Sequence, residues 1–272
     1  EVREEPLLPS CLFLSGKADF PEGSTALPWD SAPENVVGQL AKSRGAEVPQ
    51  RLVASAKSWL CHTAVDRTAP ILPTTNVEGV RKVSPVEASR RYLEHLRNSW
   101  AQARPDAPFD QQQVLVTVPA SFDAVARDLT ERAAHEAGYR DVILLEEPQA
   151  AFYAWIARHP DWRERVKVGD LILVVDVGGG TTDFSLIAVT ESGGELQLER
   201  IAVGEHILLG GDNMDLALAR LLEQDLKEKG KNLDALQLNA LWQGCRAAKE
   251  KLLSSSEKLN DYPVTILGPG TG

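Results

Sequence analysis

The stretch Leu171–Val189, LILVVDVGGGTTDFSLIAV, decides the fold. An apolar, β-branched run from Leu171 to Val175 ends at Asp176, and a second runs from Phe184 to Val189. Between them stand Gly178, Gly179, Gly180, Thr181, Thr182 and Asp183. Two such runs around a glycine turn predict a β-hairpin. Glycine permits φ > 0 and leaves no Cβ in the way of a ligand. Successive N–H groups in such a turn can converge on an anion, most often a phosphate. Asp176 and Asp183 flank the turn, where carboxylates suit a hydrated Mg²⁺. A plain solvated hairpin tip is the alternative, at the entropic cost of three glycines. A dinucleotide fingerprint needs its glycines to open a helix, whereas Phe184–Val189 reads as strand. A P-loop is excluded, because no Gly-Lys-Ser or Gly-Lys-Thr occurs.

The chain has 272 residues, is 43% hydrophobic and 25% charged, and carries a net charge of −10. This is ordinary globular composition, with material for one or two domains. The negative balance argues against nucleic acid or an anionic membrane as the main partner. It does not exclude a nucleotide, since a local cluster of N–H groups outweighs a distant field. Cys11, Cys61 and Cys245 are scattered, without the paired spacing of a zinc or redox site, so reduced thiols in a cytoplasmic protein are expected. No apolar run is long enough for a membrane span. The chain starts at Glu1, its one methionine is Met214, and it stops at Gly268–Gly272, so part of a longer protein is expected.

Outward from the hairpin, Val114–Val118, a helix capped by Asp123 or Ser121 and closed at Gly138, and Val142–Leu145 form a strand–helix–strand series. It predicts a right-handed βαβ unit. Val125, Leu129 and Ala133 mark the inner face of its helix. Glu147-Pro148 opens another helix, with Ala150, Ala151, Ala154 and Trp155 inward. Earlier, Cys11–Leu14 reads as a strand and residues 34–60 as two helical pieces, with Leu52, Val53, Ala56, Trp59 and Leu60 at helical spacing. Ser84-Pro-Val-Glu87 has the form of a capping box, heading a helix with Tyr92, Leu93, Leu96 and Trp100 as its stripe. After the hairpin come a Ser192-Gly-Gly194 turn and a strand, Glu195–Val203. A helix with Met214, Leu218, Leu221 and Leu222 inward follows and ends at Gly230. Asn232 is the expected cap of a last helix bearing Leu236, Leu241, Cys245, Ala248 and Leu252.

Four motifs then stand in order. They are Val118-Pro-Ala-Ser-Phe122, Glu147-Pro148, Asp176-Val-Gly-Gly-Gly-Thr-Thr-Asp183 and Leu209-Gly-Gly-Asp-Asn-Met-Asp215. Together they resemble the nucleotide-binding domain of the 70-kDa heat-shock, or DnaK-type, chaperones of the actin-like ATPase superfamily. The resemblance spans about residues 10 to 267 and is strongest from 114 to 222. It implies an α/β fold of actin-like, ribonuclease H-like lobes, mixed sheets flanked by helices, with a mainly helical subdomain. The implied division is 1–33 with 110–168 as the first lobe and 34–109 as its helical insertion. Residues 169–230 would form the second lobe and 231–272 its partial subdomain.

The resemblance implies ATP or ADP with Mg²⁺ as cofactors. Asp176 and Asp183 would hold the metal through water or orient the attacking water, and Glu147 would help position both. Gly178, Gly179, Gly180 and Thr181 would bind the β- and γ-phosphates, and Gly210 and Gly211 would approach them. Lys249 is matched to a lysine stacking over the adenosine, Pro119 and Arg127 to the switch that relays nucleotide state. The implied partners are client polypeptides, a nucleotide-exchange factor and a J-domain co-chaperone.

The chain also departs from the pattern. An N-terminal phosphate hairpin and a C-terminal adenosine loop are expected beyond its ends. The family's catalytic lysine is expected soon after Trp59-Leu60, yet no lysine lies between Lys57 and Lys82, and Arg67 is the cation there. The usual Asn-Glu-Pro-Thr is Glu146-Glu-Pro-Gln149, which weakens the expectation of a J-domain partner. The leading expectation is an ATP-hydrolysing domain of a DnaK-type chaperone, of which this chain is an incomplete part that by itself is expected to bind ATP weakly or not at all. The alternatives are a nucleotide-sensing or scaffolding module without hydrolysis and a small-molecule kinase of the same superfamily.

Overall fold

The computed structural model describes residues 7–16, 18–75, 79–204, 207, 209–254 and 259–266. The end at Gly268–Gly272 and the side chain of Leu236 lie outside what it describes. In chain order the elements are β1 (Cys11–Phe13), β2 (Val36–Val37), α1 (Gln39–Glu47), β3 (Leu52–Ala54), α2 (Ala56–Leu60) and α3 (Pro85–Ala103). Then come β4 (Gln113–Val118), α4 (Ala124–Glu136), β5 (Asp141–Glu146), α5 (Glu147–Arg158) and α6 (Trp162–Arg165). The hairpin and its third strand are β6 (Leu171–Val177), β7 (Thr182–Ser192) and β8 (Glu195–Val203), followed by α7 (Gly211–Glu228) and α8 (Ala235–Leu252). The protein is a mixed α/β structure, as the sequence predicts.

The chain forms two compact units. One comprises Glu1–Ser55, Ile71–Val83 and Leu209–Gly272, the other Ala56–Pro70 and Ser84–Leu208. Segment 34–109, expected as one helical block, is divided between them.

The first unit holds an antiparallel sheet in the order β2-β1-β3. Cys11, Phe13, Val36 and Ala41 form its core, covered by Phe20, Val48 and Leu52. Leu52 and Val53 therefore belong to a strand, not to a helix. Their apolar spacing fits a helix, but a 3-10 turn at Pro49–Arg51 precedes them and Ser55, with φ 56, follows. The partner that makes them a strand is β1, with Leu12 opposite Val53. In the same unit α7 packs on α8 around Ala219, Leu241 and Cys245. Met214, Leu218 and Leu221 are exposed, contrary to expectation, because Asp215 and Ala219 take the inward positions. Asp234, not Asn232, caps α8, accepting from the Gln237 N–H at 2.8 Å.

In the second unit β4 and β5 are parallel neighbours joined through α4, and β6-β7-β8 is an antiparallel meander. Leu60, Val86, Val118, Phe122, Ala126, Leu129 and Ala133 form a continuous core from α2, α3, β4 and α4. Asp123 caps α4 and Gly138 follows it with φ 90. Val125 is exposed, and Ala126 and Thr130 are buried on the face expected for it. On α5 the buried residues are Pro148 and Phe152, while Ala151 and Ala154 are exposed. Gly193 and Gly194 have φ 63 and 83, the left-handed pair that a two-residue hairpin turn requires.

Pro85 opens α3, and Ser84 caps it by accepting from the Glu87 N–H at 3.0 Å. The reciprocal half of the capping box is replaced: the Glu87 carboxylate accepts from Arg90 and Arg91 at 2.7 Å each. Leu96 and Trp100 are 45% and 36% exposed, since the fully buried stripe of α3 is confined to Pro85, Val86 and Ala88 at its first turn. The hydrogen bond from Arg90, joined by Arg91, holds the Glu87 carboxyl at about 2, below its ordinary 4.5, against the effect of partial burial. A carboxyl whose folded pKa is depressed adds stability that is complete above its unfolded pKa and is lost as pH falls through the folded one. Urea unfolding of wild type and Glu87→Gln should therefore differ at neutral pH and converge as pH falls from about 4.5 toward about 2. A difference that persists unchanged to the acid end contradicts this assignment.

Candidate functional site

The predicted glycine turn lies in the second unit, between β6 and β7. The Gly178 N–H donates to the Thr181 carbonyl at 2.8 Å and closes the turn. None of Gly178, Gly179 and Gly180 has a left-handed φ, so conformational freedom is not why glycine stands there. Close approach is: a Cβ on Gly180 would lie 2.5 Å from the Ser58 Oγ on α2. Asp176 and Asp183 face each other across the hairpin register, which places both carboxylates on one face of the sheet. Asp183 is buried and Asp176 half-buried. The Asp183 carboxylate accepts from the Ser121 hydroxyl at 2.6 Å and from the Thr181 hydroxyl at 3.3 Å.

Glu147, at the first position of α5, has its carboxylate in an ion pair with the Lys57 ammonium. Lys57 and Ser58 are adjacent on α2, so this short helix touches both the Glu147 carboxylate and the glycine turn. Lys57 is not among the residues singled out from the sequence. The resemblance expects a lysine after Trp59-Leu60, and this one lies two residues before Trp59. Its partner is 90 residues away, a separation that leaves no local signal. Arg67 is committed elsewhere: it donates to both oxygens of Asp123 at 2.8 Å. Cys61 donates to the Ser58 carbonyl at 3.0 Å. Burial pushes its thiol pKa up, and Asp183 and Asp123 add to that while Arg67 opposes it.

Pro119 is buried directly after β4. Arg127 donates through Nε to the Phe122 carbonyl at 3.2 Å and through Nη2 to Glu146 Oε1 at 2.8 Å. The other oxygen of Glu146 pairs with Arg200 of β8 at 2.5 Å. The glutamate that stands where the resemblance expects asparagine thus joins two guanidiniums.

Gly210, Gly211 and Lys249 belong to the first unit. Gly210 caps α7, its N–H donating to Asn213 Oδ1 at 2.9 Å. The Lys249 ammonium pairs with Asp215 at 2.7 Å and donates to the Gly211 carbonyl at 2.9 Å. Asp215 also accepts from Arg246 Nε at 3.1 Å, and Arg246 reaches Asp212 as well. The Asp212 carboxylate accepts the Ser55 hydroxyl at 2.7 Å. Among the sequence-predicted residues, then, Asp176, Asp183, Gly178–Thr181 and Glu147 are brought together around α2. Gly210, Gly211 and Lys249 form a second cluster at the start of α7.

The family described as Hsp70 protein matches residues 26–267. A chaperone protein HscA homolog of Acidithiobacillus ferrooxidans is 32% identical over 82% of the chain, covering 35% of its own length. A chaperone protein HscA homolog of Pseudoalteromonas atlantica is 30% identical over 85% of the chain and 37% of its own length. One of Neisseria meningitidis is 33% identical over 81% of the chain and 35% of its own length. The chain spans about a third of the length of these curated relatives. With four motifs in order and a family match from residue 26 to residue 267, the chain belongs to the Hsp70 family.

Proposed function

We propose that this chain is part of the ATP-binding and ATP-hydrolysing nucleotide domain of a DnaK-type chaperone, whose nucleotide state governs the binding of client polypeptides. One observation carries the reading. Lys57, on the short helix that contacts the Gly178–Thr181 turn, is paired with Glu147 of α5, and Asp176 and Asp183 flank that turn. Phosphoryl transfer asks a protein mainly for positioning and charge stabilisation. The Gly178 N–H closes the turn, and the N–H groups of Gly179, Gly180 and Thr181 would hold the β- and γ-phosphates. Lys57 supplies the positive charge beside them, and Glu147 fixes where that charge sits. Asp176 orients the attacking water.

The donor set fits Mg²⁺. Among the described residues no group of three or more His, Cys, Asp or Glu side chains forms a cage, whereas two opposed carboxylates at a phosphate turn suit a metal that keeps several waters. Held by Asp176 and Asp183 through water, Mg²⁺ would neutralise charge on the transferred phosphoryl group. Lys249, its ammonium held by Asp215, would offer an adenosine its methylene stem. Arg127, tied to the loop after Pro119 and to Glu146, would carry the change of nucleotide state. Lys57, paired with Glu147, supports this reading over the alternative without hydrolysis.

Asp176→Asn should lower the rate of ATP hydrolysis by the natural full-length protein at least about 100-fold, the scale on which loss of one charge-positioning group acts. Phosphate release at saturating Mg·ATP checks this. An unchanged rate in a folded variant means Asp176 has no part in the chemistry.

A further inference from the structure

The loop between β4 and α4 is anchored on both sides of Ser121. Pro119, Ala120 and Phe122 are buried, and the Phe122 N–H donates to the Pro119 carbonyl at 3.1 Å. Asp123, the next residue, caps α4 and is gripped by both nitrogens of the Arg67 fork. Asp123 meets the capping need of α4, so the Ser121 hydroxyl, the other candidate cap, is directed elsewhere. It donates to Asp183 Oδ1 at 2.6 Å, the short distance of an O–H donor on a carboxylate. The acceptor is 6% exposed, and its other oxygen takes the longer bond from Thr181 at 3.3 Å.

Thr181 belongs to the glycine turn itself, whereas Ser121 comes from a separate loop anchored in the core by Pro119, Ala120 and Phe122. We propose that Ser121 is a positioning residue for Asp183: it holds the carboxylate at the mouth of the phosphate turn in one orientation, and so sets the geometry in which phosphate and metal are received. This rests on the ATPase reading of the site above. The Val118–Phe122 motif then serves the nucleotide site through Ser121 as well as through Pro119.

The test uses Ser121→Ala and Ser121→Thr in the natural full-length protein, with two readouts. The first is hydrogen exchange at the amides of residues 178–182 without nucleotide. The second is the kcat and KM for Mg·ATP. Ser121→Ala should speed exchange in the turn and lower kcat roughly tenfold, with KM within about twofold, as losses of groups that orient a ligand-holding side chain do. Ser121→Thr, which keeps the hydroxyl, should restore both. A merely structural role would move thermal stability without a rescued split between kcat and KM. Exchange unchanged in Ser121→Ala overturns the proposal, as does a changed exchange with kcat at the wild-type value. Wild-type protein that hydrolyses no ATP overturns the reading of the site itself, and this proposal with it, even where exchange in the turn still responds to Ser121→Ala.

Discussion

Replacing Lys57 by methionine should lower the single-turnover rate of ATP hydrolysis by about 10² to 10³-fold, the scale for removing one preorganised charge from a transferring group. ATP affinity should change much less, because the N–H groups of the turn remain. The fold should hold as well. The Lys57 side chain is 54% exposed, and ion pairs that open to water contribute at most about 1 kcal/mol. Rate and stability are therefore separable at this position. Lys57→Arg should rescue poorly, since a planar fork does not replace a compact ammonium on a flexible stem. Rapid-quench assays at saturating Mg·ATP, with urea unfolding alongside, decide the matter. A folded Lys57→Met protein that turns over within about threefold of wild type would show that the Lys57–Glu147 pair is surface decoration.

Asp215→Ala should have the largest effect on stability, about 3–5 kcal/mol, with its origin in charge rather than volume. Asp215 is 1% exposed and lies between Arg246 and Lys249, while Asp212 shares Arg246. Removing Asp215 leaves two cations in a largely closed setting against one remaining carboxylate. Leaving a buried charge unpaired is far more costly than removing a whole pair. The triple change Asp215→Leu, Arg246→Leu, Lys249→Met should accordingly cost less than Asp215→Ala alone. Hydrogen exchange of α7 and α8 amides reports on this cluster directly. A loss below about 1 kcal/mol in Asp215→Ala would mean that water reaches the cluster and screens it.

How much of this was legible depends on how local the cause is. The Leu171–Val189 hairpin, the Gly193-Gly194 turn, the Ser84 and Asp123 caps and the strand–helix–strand series from 113 to 146 follow from neighbours within a few residues, and they stand in the structure. Leu52 and Val53 were misread because β1, some forty residues earlier, makes them a strand. Met214, Leu218 and Leu221 were misplaced because a hydrophobic periodicity assumes that apolar residues face inward. On α7 a carboxylate with two cationic partners on α8 takes the inward position. Tyr139 shows the same limit in milder form: it is buried among Phe109, Val114 and Val142, with its phenol donating to the Leu93 carbonyl at 3.0 Å, and nothing next to it in sequence announces that.

The site divides along the same line. Asp176, Asp183 and the glycines are contiguous and readable, although close approach to Ser58 explains Gly180 better than any turn conformation. Glu147 was legible through its proline. Lys57 and Ser121 were not, because each acquires meaning only from a carboxylate more than sixty residues away. A sequence presents them as an exposed lysine and a possible helix cap.

The central claim is that the groups gathered at the Gly178–Thr181 turn act on the phosphates of ATP. Calorimetric titration of Mg·ATP into the natural full-length protein, followed by rapid-quench analysis of the bound nucleotide, tests it most directly. The account predicts saturable binding at one site per chain and conversion of the bound ATP to ADP and phosphate. Absence of binding, or tight binding with the nucleotide recovered intact as ATP, would contradict it.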